Sequence, residues 1–126
     1  MSTRVIQSLF RTTAREKSKA IGLVRNSVSG SNATRHADEV RRHARTLGYH
    51  YLHTVSPPAD CDDPLAYALG MANGLGATAI VVHDLAHVDD RPALICDEGF
   101  DLETVCPQST WVRAMPPMPV TDGDVA

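Results

Sequence analysis

Arg25 and Ser27 stand two residues apart just after the apolar run AIGLV, and their types are those of phosphate chemistry. A serine that attacks phosphate must lose its proton, and cationic donors must stabilise the charge that builds in the transition state. Arg25 supplies one such donor. If the strand beginning at Ala20 runs on through both residues, alternation puts their side chains on one side of it. The competing reading is a serine that only caps or turns the chain at a strand end.

Other residues with chemistry in their side chains are less well arranged. His83 and His87 lie four apart with Asp84 between them, but they follow a strand and read as a loop. His50 and His53 fall on opposite faces of an expected strand. No cysteine pair has zinc-finger spacing, since Cys96 and Cys106 are ten apart. SVSGSN has a single glycine and lacks the G-x-x-x-x-G-K-[ST] arrangement of a nucleotide loop. Neither a metal nor a cofactor is expected. RRHAR, residues 41–45, reads as a solvated helix face whose charge Asp38 and Glu39 offset.

The elements that must position these groups are legible from periodicity. AIGLV, residues 20–24, fits a buried strand, and a polar loop around Ser29 to Asn32 follows. A helix is expected from about Asn32 or Thr34 to Leu47, with Ala37, Val40, Ala44 and Leu47 on its apolar face. YHYLHTV, residues 49–55, alternates as a strand, with Tyr49, Tyr51, His53 and Val55 facing one way. Asp62 or Asp63 can cap the next helix, Pro64 suits its first turn, and Gly74 and Gly76 end it. Leu65, Ala68, Ala72 and Leu75 share its inner face. ATAIVV, residues 77–82, has the continuous apolar character of a strand covered on both sides. Residues 83–90 read as a loop, 91–98 as a short helix, and 101–106 as a fourth, edge-like strand. The order βαβαβ predicts a three-layer α/β domain on a mainly parallel sheet of about four strands. Trp111 is expected to pin the C-terminal segment on that sheet or, if exposed, to anchor a partner.

Charge is distributed unevenly. Residues 1–19 carry Arg4, Arg11, Arg15, Lys17 and Lys19 against Glu16, whereas the whole chain has a net charge of −3. Residues 1–18 are expected to be a basic flexible arm, 19–112 a single domain, and 113–126 a disordered Pro- and Gly-containing tail. Arg11, Arg15, Lys17, Lys19 and Trp111 are the candidate partner contacts. The field of the domain itself disfavours nucleic acid, so DNA contact is expected only through the arm or a partner. Three unpaired-looking cysteines fit a reducing, cytoplasmic setting. No run approaches the roughly 20 apolar residues of a membrane span.

GLVRNS, residues 22–27, resembles the start of the catalytic domain of serine recombinases, the resolvase and invertase family. Members typically begin with a strand reading G-Y-x-R-V-S, whose serine attacks DNA phosphate. Gly22, Arg25 and Ser27 match it, while Leu23 stands for the tyrosine and Asn26 for the valine. Gly48-Tyr49 before the second strand and GATAIVV at the third are also similar to the family, and the likeness spans residues 20–106. It implies a resolvase-like fold with Ser27 as nucleophile and Arg25 as phosphate clamp. The family's third strand is followed by D-R-L-x-R, but here AHVDD, residues 86–90, puts Ala86, His87 and Asp90 at the aspartate and the two arginines. An arginine expected near the start of the second helix is missing from DDPLAYAL. Asp84, Asp89 and Asp90 would repel phosphate where arginines should gather it.

The sequence after the last expected strand also lacks the family's long dimer helix and its C-terminal helix-turn-helix. The expected function is therefore a catalytically degenerate resolvase-like domain, acting as an interaction or regulatory module, as a homodimer or with a protein partner. The balance falls against enzymatic activity. One alternative is a serine-nucleophile DNA strand transferase completed by a partner subunit. The other is a small-anion-binding or purely structural α/β domain.

Overall fold

A computed structural model describes residues 18–114 of the chain. Most of the expected basic arm, including Arg11, Arg15 and Lys17, lies outside the described residues, as do residues 115–126 of the tail. The strands are β1 (Lys19–Leu23), β2 (His50–Val55), β3 (Ala79–Val82), β4 (Asp101–Thr104) and β5 (Ser109–Trp111). The helices are α1 (Asn26–Ser29), α2 (Ala33–Thr46), α3 (Pro64–Leu75) and α4 (Ala93–Cys96). The sheet runs β2-β1-β3-β4-β5, with the first four strands parallel and β5 antiparallel to β4. It thus has five strands where about four were expected. The extra one is the three-residue edge β5, too short to show alternation in the sequence.

The continuous apolar strands behave as burial on both faces requires. Ile21, Leu23, Ile80, Val82 and Leu102 pack with Leu65, Ala68 and Ala72 of α3 and with Ile95 and Cys96 of α4. Ala20, Ala79 and Val81 turn the other way, onto Val40 and Ala44 of α2. Helices therefore cover both faces, and the domain is a three-layer α/β structure. Gly22 lies beneath α2, where a Cβ would collide with the Tyr51 hydroxyl and Val40 Cγ1. A larger residue there would have to displace these two side chains, one from β2 and one from α2.

Several local expectations are corrected. β1 ends at Leu23, so Arg25 and Ser27 are not alternating strand residues; Arg25 caps a helical turn that contains Ser27. The Arg25 carbonyl accepts from the Val28 and Ser29 N–H groups at 2.8 and 3.0 Å, which curls the segment read as a loop. A register shift between β1 and β2 pairs Ala20 with Tyr51 and Ile21 with His53. This bulge leaves Leu52 on the same side as Val55, whereas Tyr49 and Tyr51 face α2. Asp63 is the cap of α3, accepting from the Ala66 N–H at 3.0 Å, and Gly76 closes that helix in the left-handed region at φ 77°. The buried stripe of α2 is His36, Val40 and Ala44, and Leu47 is exposed. Leu75 of α3 is exposed too.

Trp111 does not pin the C-terminal segment with its ring, which is 41% exposed at the sheet edge beside an exposed Val112. The backbone holds this segment instead. β5 pairs with β4, and the Ala114 N–H donates to the Cys96 carbonyl at 2.9 Å. Arg113 also bonds Asp101 through its backbone and its guanidinium. Lys19 opens β1, at the end of the strand opposite Ser27. No helix among the described residues is long and apolar enough to cross a membrane.

Candidate functional site

In this strand order the chain leaves β1 outward to β2 and then returns across it to β3. The loops after β1 and β3 diverge at that switch, and their mouth is where open α/β sheets place ligands. Arg25 follows β1 there, and His83 to Asp89 follow β3. The turn after β3 is capped by Asp84, whose carboxylate accepts from the Ala86 N–H at 3.0 Å. That turn aims His87 back into the core, where it is fully buried.

The node is held by a chain of hydrogen bonds. The Arg25 backbone N–H donates to His87 Nδ1 at 3.0 Å, which makes this nitrogen an acceptor and puts the ring proton on Nε2. His87 Nε2 then donates to Ser29 Oγ at 3.3 Å, and Ser29 Oγ lies 2.7 Å from His36 Nδ1. Burial pushes the His87 imidazole down to about 4; nearby Asp84 opposes the shift, and His36, His83 and Arg25 reinforce it. Burial, then His83 and Arg35, also lowers His36. The His36 ring stacks on His83 with centroids 3.8 Å apart and planes 15° from parallel. His83 lies between two carboxylates, with Nε2 3.2 Å from Glu39 Oε1 and Nδ1 3.0 Å from Asp84 Oδ2. Burial would raise the Asp84 carboxyl, but the bonds from His83 and the Ala86 N–H outweigh it and hold it below the usual range.

Ser27 belongs to a different surface. It is exposed on a cleft of about 290 Å³ lined by Arg25, Pro57, Pro58, Cys61 and Pro64 among others, on the β2 side of β1. The hydroxyl with histidine partners is that of Ser29, not Ser27. Arg25 is the basic residue among those lining the cleft, and its guanidinium is already engaged. It donates to the His87 carbonyl at 3.2 Å and to Asp89 Oδ1 at 2.9 Å, with the side chain 15% exposed. Asp89 and Asp90 both have φ 57°, a backbone conformation that aspartate and asparagine tolerate better than most other side chains.

The structure therefore brings Arg25 and Ser27 to one cleft, and separately joins Arg25 to His87. Trp111 lies on β5, and Lys19 at the far end of β1, so the expected partner contacts in the described residues do not gather at this site. Ser29, His36 and Glu39 were missed. The available signal was spacing: His36 precedes Val40 and Ala44 at i, i+4 and i+8, one stripe of a helix.

Solved structures of recombinase domains share this architecture, three of them with the following agreement. The C-terminal catalytic domain of ISC1926 TnpA, an IS607-like serine recombinase, matches with a TM-score of 0.53 and 13% identity, over 69% of this chain and 70% of that one. The N-terminal catalytic domain of TP901-1 integrase matches with a TM-score of 0.57 and 15% identity, over 73% and 80%. A resolvase family site-specific recombinase from Streptococcus pneumoniae matches with a TM-score of 0.57 and 13% identity, over 75% and 76%. The fold is that of a serine recombinase catalytic domain. No family model and no curated protein matches the sequence. At this identity the likeness concerns the course of the backbone, and the chemistry of the resolvase-like domain must be argued from its own side chains.

Proposed function

We propose that this resolvase-like domain no longer performs strand transfer and works as an interaction or regulatory module. One observation carries the reading: Arg25, the basic side chain on the Ser27 cleft, is tied to Asp89 and to the His87 carbonyl. A phosphate entering beside Ser27 would meet an arginine whose charge a carboxylate already answers, and stabilisation of the transition state needs donors aimed at the phosphate. Contact with a partner protein, or a second copy of the chain, falls to the exposed Trp111 edge and to the basic arm carrying Arg11, Arg15 and Lys17. DNA contact falls to that arm or to the partner. Three free cysteines suit the cytoplasm.

The second reading is a strand transferase completed by a partner subunit. It is favoured by the exposure of Ser27 on an open cleft, and by Arg25 Nε, which is buried without a partner among the described residues. Supercoiled DNA incubated with the wild type or with Ser27→Ala, alone and with cell extract, separates the two. Neither nicking nor a covalent protein–DNA adduct is expected under any condition. An adduct formed by the wild type and lost in Ser27→Ala overturns the module reading and establishes the nucleophile.

A further inference from the structure

We propose that His36, Glu39 and His83 bind a divalent transition-metal ion of zinc-like preference at the carboxyl edge of the sheet. The inference stands independently of whether Ser27 is active. His36 and Glu39 are three residues apart on α2, so they project from one face of the helix, and His83 leaves the end of β3 against that face. One potential ligand atom from each lies within 4.8 Å of the others. Two imidazoles and one carboxylate form a set that suits zinc and its neighbours in the first transition row, whereas magnesium and calcium prefer oxygen alone. Three protein ligands also leave a fourth tetrahedral position for water or a bound anion.

The surroundings resemble an outer shell. His83 Nδ1 has Asp84 Oδ2 at 3.0 Å, which directs its Nε2 towards Glu39 Oε1 at 3.2 Å. His36 Nδ1 has Ser29 Oγ at 2.7 Å, and that hydroxyl is itself held by His87. In metal sites a ligand histidine commonly has its second ring nitrogen fixed by such an oxygen. Arg35 takes Glu39 Oε2 at 3.1 Å and leaves Oε1 facing the histidines. Because the two rings are stacked nearly parallel, their in-plane lone pairs do not converge on one point. Loading the ion therefore requires one ring to turn out of the stack. An ion here would add positive charge to a node in which Glu39 and Asp84 are the acidic members.

The test is titration of chelator-treated protein with Co²⁺ and Zn²⁺, followed by calorimetry and by cobalt absorption. Glu39→Gln and His83→Gln remove one ligand each at partly exposed positions, and His53→Gln is a control on the exposed side of β2. The wild type and His53→Gln should bind one ion per chain. Each ligand variant should bind at least about tenfold more weakly, the lower end for disturbing even an outer-shell partner. Melting temperatures without metal check that each variant is folded. Absence of stoichiometric binding by the wild type overturns the proposal, as does unchanged affinity in folded Glu39→Gln and His83→Gln. A thiolate-to-cobalt charge-transfer band also overturns it, because it assigns the ion to the free Cys61 or Cys106.

Discussion

Acidification should destabilise this domain in a window that belongs to His87. The imidazole is fully buried, its Nδ1 accepts from the Arg25 N–H, and burial holds its folded-state value at about 4 against 6.5 for the free side chain. Between these values the unfolded chain binds a proton that the folded one refuses, so stability falls as the pH drops through 6.5 towards 4 and this contribution levels off below. The difference of about 2.5 units corresponds to a loss of about 2 kcal/mol by pH 5 and about 3 kcal/mol by pH 4. That is a large share of the roughly 5–15 kcal/mol typical of a domain. The charged or titratable groups facing His87 are Arg25 at the end of β1, His36 on α2, and His83 and Asp84 after β3. His36 is lowered too and acts in the same direction, whereas Asp84 starts from 3.8 and is lowered from there, so its loss falls at more acid pH.

Urea unfolding followed by circular dichroism at intervals from pH 7.5 to 4.5, in chelator-treated buffer, measures the slope. His87→Gln keeps an acceptor for the Arg25 N–H and a donor for Ser29 without a titrating ring. It should be less stable at neutral pH but lose markedly less stability on acidification. Equal slopes for the wild type and His87→Gln between pH 6.5 and 5 would refute the assignment to His87. A flat wild-type profile would refute the depressed value itself.

Three further outcomes are expected. Gly22→Ala should cost about 1–3 kcal/mol, because its Cβ has no room beneath Tyr51 and Val40; a urea midpoint unchanged at constant slope would refute the close approach. Asp89→Asn should cost less than about 1 kcal/mol, since the carboxylate is 56% exposed, yet it should free Arg25 to respond to phosphate. Phosphate titration followed by amide shifts of Arg25 and Ser27 should show tighter binding in this variant, and equal affinity would argue against the tether. Glu103→Ala should cost about 1–3 kcal/mol, because Tyr49 Oη at 2.7 Å and Thr110 Oγ1 at 2.5 Å lose a buried acceptor. Burial, and then the Glu103 bond, raises the Tyr49 hydroxyl, so ultraviolet titration of the variant should show this tyrosine ionising at lower pH.

Periodicity reached the elements whose environment is uniform along their length. β1 and β3 are apolar at successive positions because helices cover both faces, and α3 announces itself through Asp63, Pro64 and Gly76. It failed where a tertiary contact decides. The β2 bulge depends on pairing with β1, and β5 exists only as the partner of β4. Asn26, Ser27 and Ser29 carry small polar side chains typical of loops, yet the chain is curled by the Arg25 carbonyl. The site followed the same rule. Arg25 and Ser27 were legible because residue type and short spacing marked them. His87 meets Ser29 across 58 positions of sequence, a pairing that only the sheet order creates.

Position 87 decides the character of this edge. A guanidinium buried at position 87 to the same degree as this imidazole would remain charged and would need anionic partners. A neutral imidazole needs only one acceptor and one donor, and Ser29 Oγ and the Arg25 N–H provide them. Once the ring is turned inward, the carbonyl of the same residue and Asp89 are left facing the Arg25 guanidinium. The arrangement that satisfies the buried node thus also occupies the arginine beside Ser27. An arginine placed at position 87 would put a second charge inside the node without freeing the first, so releasing the Arg25 guanidinium calls for a change at position 89 instead.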